Sequence, residues 1–212
     1  MSFSTDQNTA HHNGHASVSI KDSSLAIKLV DYPTLLALGR ALLIAIGENP
    51  DREGLRDTPR RWADTWREFI EYDPGHTETT FAAITADQMV CVSGMRVFSL
   101  CEHHLLPFSC DVSIGYLTGE KVLGLSKFAR IAHQCAHQLQ IQERLGQQLA
   151  DEVSRITETE DVAVVLRGRH FCMEARGIQT TGMMTSLVLR GAFREQDARR
   201  MEFLRLSEAA TH

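Results

Sequence analysis

Residues 89–121 read MVCVSGMRVFSLCEHHLLPFSCDVSIGYLTGEK. Apolar residues recur there at every second position: Val90 and Val92, then Val97, and again Val112, Ile114 and Tyr116. Period two is the signature of β-strands with one face turned to a core. Thr118-Gly119-Glu120-Lys121 has the composition of a turn. Outside this stretch the period changes. Upstream, Leu35, Leu36, Leu38, Leu42, Leu43 and Ile46 have helical spacing, and Gly47-Glu48-Asn49-Pro50 stops the helix. Thr58 as N-cap with Pro59 at the first helical position predicts a second helix, its apolar face made of Trp62, Trp66, Phe69 and Ile70. Downstream, Ser126 opens a helix with Phe128, Ile131, Ala132 and Cys135 on one face. The stretch 139–142 breaks that periodicity, and Leu145, Leu149, Val153 and Ile156 resume it. Val162–Leu166, His170–Cys172 and Met183–Leu189 read as strands, and Arg194–Leu206 as a closing helix. Helices, strands, helices, strands, helix predict an α+β fold with an antiparallel sheet.

The chain has 212 residues, 43% hydrophobic and 23% charged, which excludes a disordered chain, a collagen and a coiled-coil rod. No apolar run reaches the roughly 18 residues of a membrane span, and the first fifteen residues lack the apolar core of a secretory leader. Residues 1–25 are expected to be a disordered polar tail, including His11, His12 and His15. Residues 26–212 are expected to form a single domain, helical over 32–75 and sheet-based over 86–206. A net charge of −5 argues against non-specific binding of nucleic acid. The cysteines, Cys91, Cys101, Cys110, Cys135 and Cys172, are odd in number, which points to a reducing cytoplasm and to metal ligation rather than disulfides.

Two short motifs carry metal chemistry. In Cys101-Glu102-His103-His104 a thiolate and an imidazole three residues apart can reach one ion from a tight turn. In His170-Phe171-Cys172, read as strand, the outer two residues share a face. Together they offer Cys101, His104 and Cys172 as ligands, with His103 and His170 as free imidazoles. Three ligands and an open position make a catalytic zinc site, whereas a fourth ligand from His103, His170 or another cysteine would make a closed structural one. Spacing leaves both readings open. A third signal is Gly124-Leu125-Ser126-Lys127-Phe128-Ala129-Arg130, where a hydroxyl, an ammonium and a guanidinium meet at a helix start suited to phosphate. The same residues also read as an N-cap with a solvated basic face. Glu143, in Gln142-Glu143-Arg144, could accept paired hydrogen bonds from the ring N–H and amine of guanine, or simply favour a helix N-terminus. Arg176, and the pair Arg60-Arg61, add cations.

Taken together, these segments resemble GTP cyclohydrolase I. The matching pieces are Gly47–Pro50, REGLRDTPRR (52–61), CEHHLLP (101–107), VLGLSKFARI (122–131), LQIQERL (139–145), HFCMEARG (170–177), 193–195 and 202–204. The resemblance implies the tunnelling (T-) fold, an antiparallel sheet backed by helices with an N-terminal helical part, and zinc held by Cys101, His104 and Cys172. It implies His103 as proton donor to the purine imidazole ring, His170 as the second catalytic histidine, and Glu143 assisted by Gln142 at the guanine edge. Ser126, Lys127, Arg130 and Arg176 would bind the triphosphate of GTP, with Arg61 reaching in from a neighbouring subunit. The implied assembly is a homo-oligomer, a decamer of two pentamers with active sites at subunit interfaces. The implied reaction opens the imidazole ring at C8, releases formate and recloses to 7,8-dihydroneopterin triphosphate. Two positions depart from the family pattern. Arg190 stands in a shortened 180–190 segment where an apolar residue is usual, and Asp64 stands where some members carry Lys.

Overall fold

A computed structural model describes residues 28–208, so the expected polar tail and its histidines lie outside the described residues. In chain order the elements are α1 (Tyr32–Ala45), α2 (Thr58–Ile70), β1 (Thr80–Ala82), β2 (Met89–Cys101), β3 (Pro107–Leu117), β4 (Lys121–Leu123) and α3 (Leu125–Ala136). There follow β5 (Leu139–Gln140), α4 (Gln142–Thr157), β6 (Val162–His170), α5 (Phe171–Glu174), β7 (Met184–Leu189), α6 (Ala192–Glu195) and α7 (Asp197–Glu208). A five-stranded sheet has the order β5-β2-β3-β6-β7, and β1 pairs with β4 in a separate ribbon. This is the expected α+β fold, with one refinement. The break at 139–142 is the short strand β5, which runs parallel to β2, pairing Leu139 with Leu100 and Gln140 with Cys101.

The sheet is covered on both faces. Phe128, Ile131, Ala132 and Cys135 of α3 and Leu145, Leu149 and Val153 of α4 pack against Val112, Ile114, Tyr116, Val164 and Leu166. On the other face Leu117, Ala163 and Val165 meet Phe193 and Phe203 of α6 and α7. Burial on both faces explains why Val162–Leu166 is an unbroken apolar run rather than an alternation. Polar anchors hold the layers in register. Ser99 Oγ donates to the Ala136 carbonyl at 2.6 Å, and Tyr116 Oη accepts from the Leu123 N–H at 2.9 Å.

Three boundaries differ from the sequence reading. Asp57, not Thr58, is the N-cap of α2, so Pro59 falls one position further in. The closing helix is broken at Gln196, which takes an extended conformation between α6 and α7. Cys172 lies in the helical turn α5 rather than on a strand. The shortened 180–190 segment does not disturb the ladder, since β7 pairs with β6 in continuous register from Gly168↔Met184 to Ala163↔Leu189. Arg190 lies beyond that ladder, with Nη2 2.6 Å from Asp151 and 3.0 Å from Gln147 Oε1 on α4. Asp64 ties the N-terminal helices together, accepting from Tyr32 Oη at 2.7 Å, from Arg60 and from Arg67. No helix among the described residues is long and apolar enough to cross a membrane.

The helix α1 shows only Gly39 and Leu43 buried, and leaves Leu38, Leu42 and Ile44 exposed, as is Ile46 at its C-cap. Where the N-terminal part meets the sheet layer, His137 stacks on Tyr72 with ring centroids 3.9 Å apart and lies 5.0 Å from Phe69. Burial lowers the pKa of His137, against a raising effect from its hydrogen bond to the His133 carbonyl. The unfolded chain therefore binds a proton here more readily than the folded one, and stability is lost as pH falls below about 6.5, the unperturbed histidine value. Denaturant titrations of the wild type and His137→Phe between about pH 7.5 and 5.5 should show the wild type losing more stability; equal losses would contradict this.

Candidate active site

The Cys–His turn follows from how the β2–β3 hairpin closes. Leu100 pairs with Pro107, so the chain must reverse within 101–106. The Cys101 carbonyl accepts from the N–H groups of His104 (3.3 Å) and Leu105 (2.8 Å), and Leu105 takes a left-handed φ of 55°. This winds His104 back over Cys101, placing its Nδ1 3.7 Å from Cys101 Sγ. The β3–β6 ladder ends at Phe108↔His170, one strand away at the same end of the sheet. The chain then turns through α5, and Cys172 returns toward the hairpin.

One donor atom from each of Cys101, His104 and Cys172 lies within 4.8 Å of the others. In a tetrahedral site with metal–sulfur and metal–nitrogen bonds of about 2.3 and 2.0 Å, neighbouring ligand atoms stand roughly 3.5–3.8 Å apart. The 3.7 Å separation of the Cys101 sulfur from the His104 nitrogen matches such an edge, so these residues fit a single ion. Cys101 is buried, Cys172 half-buried and His104 exposed, which leaves the site open to solvent on one side. Burial, then the adjacent Cys101 sulfur, pushes the Cys172 thiol up, while Arg176 draws it down. Two thiols forced together favour a cation between them.

The two remaining histidines differ in setting. His103 is 65% exposed, with Nδ1 3.9 Å from Cys101 Sγ and Nε2 4.0 Å from Glu102. His170 is held firmly. Its ring stacks on Phe108 at 4.7 Å and 9°, and its Nε2 lies 2.9 Å from Gln142 Oε1. Burial lowers its pKa, while Glu143 and Glu174 raise it, and the net direction is down, toward a neutral imidazole. Glu143 is exposed in the first turn of α4, one residue after Gln142, and its charge opposes the effect of burial on His170.

The basic residues are spread more widely. Ser126 is exposed in the first turn of α3, which has Gly124 as N-cap and no side-chain cap. Lys127 Nζ donates to the His76 carbonyl at 2.7 Å, and Arg130 donates to the Pro74 carbonyl, so both cations are folded onto the 74–76 segment. Arg176 is exposed just past α5, near enough to act on Cys172. Arg61 stays with the N-terminal helices, 3.6 Å from Asp57.

Several residues were not singled out by sequence reasoning. Arg144 bridges Gln140 Oε1, at 2.9 Å, and the Glu102 carboxylate, tying the start of α4 to the Cys–His turn. The Gln140 carbonyl also accepts from the Glu102 N–H at 3.0 Å. Gly168 had a weaker signal, a lone glycine between Arg167 and Arg169 just past the apolar run 162–166, which in a strand marks a close approach.

An α+β scaffold that gathers a Cys–His–Cys donor set, two histidines, a carboxylate and an arginine at one end of its sheet defines a candidate metal-dependent enzyme for an anionic substrate. The GTP cyclohydrolase I family model matches residues 37–208, and the chain belongs to that family. It is 45% identical over 170 residues to "GTP cyclohydrolase 1" of Hyperthermus butylicus, covering 80% of this chain and 87% of that one. It is 44% identical over 176 residues to "GTP cyclohydrolase 1 1" of Pseudomonas syringae pv. tomato, covering 79% and 92%. A Pseudomonas aeruginosa protein of the same name is 44% identical over 181 residues, covering 82% and 96%.

Elemental analysis of purified variants tests the ligand set. Cys172→Ser should lose most of the roughly one metal ion per chain expected of a mononuclear site, whereas His103→Ala should keep it. Full metal in Cys172→Ser would contradict the assignment.

Proposed function

We propose that this chain hydrolyses GTP, opening the imidazole ring at C8 with release of formate and rearrangement to 7,8-dihydroneopterin triphosphate, the first step of tetrahydrofolate and pterin biosynthesis. The observation that carries the reading is the meeting of Cys101, His104 and Cys172 with His103 and His170 at one sheet end. We assign zinc to the three ligands. Zinc, when bound, supplies Lewis-acid chemistry that makes water nucleophilic near neutral pH.

The protein's own groups do the rest. His103, exposed on the turn, hands a proton to the purine imidazole ring as C8 is attacked, which makes that carbon electrophilic. His170, kept neutral by burial, moves protons in the later ring opening and rearrangement. Glu143 holds the guanine edge by accepting from its ring N–H and exocyclic amine, a pair of donors that adenine lacks. Ser126, Lys127, Arg130 and Arg176 hold the triphosphate once Lys127 and Arg130 exchange the His76 and Pro74 carbonyls for phosphate oxygens. A charged acceptor binds these cations more strongly than a neutral carbonyl does.

We further propose a homo-oligomer, a decamer of two pentamers, with Arg61 entering the site of a neighbouring subunit. The exposed Leu38, Leu42 and Ile44 of α1 and Ile46 at its C-cap support assembly, and the attachment of Arg61 to the N-terminal helices supports its action across an interface. One unit would comprise residues 26–212. Its free cysteines suit a reducing cytoplasm.

Incubating zinc-loaded protein with GTP should give formate and, after oxidation, a fluorescent pterin in equal amounts, both abolished by a chelator. Formate without pterin would overturn the rearrangement. Neither product would overturn the assignment of GTP.

A further inference from the structure

Gln142 is 1% exposed, and its carboxamide is spent inside the protein. Its Nε2 lies 3.0 Å from the Met184 carbonyl oxygen, 3.2 Å from the Leu166 carbonyl oxygen and 3.0 Å from Ser186 Oγ. Carbonyl oxygens accept and never donate, so the amide nitrogen must be the atom facing them. Oε1 is thereby turned the other way, 2.9 Å from His170 Nε2, with the Cys110 thiol donating to it at 3.5 Å. An amide oxygen carries no proton, so His170 Nε2 must carry one. In the neutral ring the lone pair then belongs to Nδ1.

Two further features hold this arrangement. Phe108 stacks on the His170 ring and fixes its plane. Gly168 leaves the room that the carboxamide occupies: a Cβ there would overlap Gln142 Oε1 and stand 2.8 Å from the Cys110 sulfur. The strand position is therefore a glycine for steric reasons, independent of turn or φ.

We propose that Gln142 is a positioning residue for His170: locked by the Leu166 and Met184 carbonyls, its carboxamide fixes the imidazole as the Nε2–H tautomer and leaves Nδ1 as the ring nitrogen whose lone pair is free for substrate. The Nε2–H bond to Oε1 and the Phe108 stack hold the ring in one orientation. The proposal rests on the reading of His170 as a catalytic residue. It gives Gln142 a different task from the one the family resemblance implies, because a side chain this buried, with its amide protons already donated, has nothing to offer a guanine edge.

The test separates the two roles. In Gln142→Met, which keeps the volume and removes the amide, kcat for GTP should fall at least about tenfold while KM and the GTP dissociation constant stay within about twofold. Gln142→Glu, which keeps an oxygen toward the ring but can no longer donate to the Leu166 and Met184 carbonyls, should not recover that loss, and full recovery would overturn the proposed lock. Weaker GTP binding by tenfold with kcat unchanged would overturn the proposal in favour of guanine contact. If Gln142→Met does not fold, Gly168→Ala, which displaces the carboxamide, should show the same fall in kcat at unchanged affinity. A Gly168→Ala enzyme with normal kcat would overturn the proposal. A readout independent of turnover is the nitrogen NMR of histidine-labelled wild type, with the His170 signals assigned against His170→Asn. These should show a protonated Nε2 and a bare Nδ1, and the opposite tautomer would overturn the proposal. Should the wild type turn over no GTP, the functional reading falls, and the tautomer still decides the role of Gln142.

Discussion

The antiparallel pairing of β3 with β6 is the constraint on which the rest of the site depends. Its ladder runs from Tyr116↔Val162 to Phe108↔His170, and the β2–β3 hairpin closes at that same end. Cys101 ends β2 and His104 sits on the hairpin turn, while His170 is the last rung of β6 and Cys172 lies just past it. Residues some seventy positions apart in sequence are thus brought within ligand distance by the register of the strands. A slip of one residue would turn His170 to the opposite face and unstack it from Phe108. Register is protected because both faces of β6 are buried, with Val164 and Leu166 under α4 and Val165 against the Phe193–Phe203 pair.

A second layer of control is polar and internal. Among the described residues no buried side-chain nitrogen or oxygen lacks a hydrogen-bond partner. Near the site these partners form directed chains. Gln140 donates to Gln148 and accepts from Arg144, which reaches the Glu102 carboxylate in the Cys–His turn. Fully satisfied networks of this kind specify one geometry, since each broken bond would strand a buried polar group. The groups left outside the networks are the proposed substrate contacts: His103, Glu143, Ser126 and Arg176 are all exposed. Lys127 and Arg130 lie between these extremes, held by carbonyls of the 74–76 segment that a phosphate can replace.

Much of this was legible in the sequence, and the reasons differ by element. Period-two alternation located β2 and β3 because one face of each is apolar, and helical spacing located α3 and α4 because each presents one stripe to the sheet. The candidate metal residues stood out because thiolate and imidazole are preferred zinc ligands, while their spacing alone left the catalytic and the structural reading open. Cys172 was misplaced on a strand because three residues are too few to show a period, and the turn of α5 is set by tertiary position. The strand β5 was hidden for the same reason, being two residues long and parallel. The apolar spacing of α1 predicted a helix, yet Leu38, Leu42 and Ile46 are exposed in the single chain, since sequence patterning does not say whether the covering surface belongs to the same molecule. The partnership of Gln142 with His170 was invisible, because it joins α4 to the end of β6 across 28 positions without any local motif.

The central claim is that one hairpin turn and one strand end combine two sulfurs and one imidazole around a single zinc ion. X-ray absorption at the zinc edge of the loaded enzyme measures this directly. The account predicts two sulfur scatterers at about 2.3 Å and two lighter ones at about 2.0–2.1 Å, the second being the open position. A shell with three or four sulfurs, or with none, would contradict it.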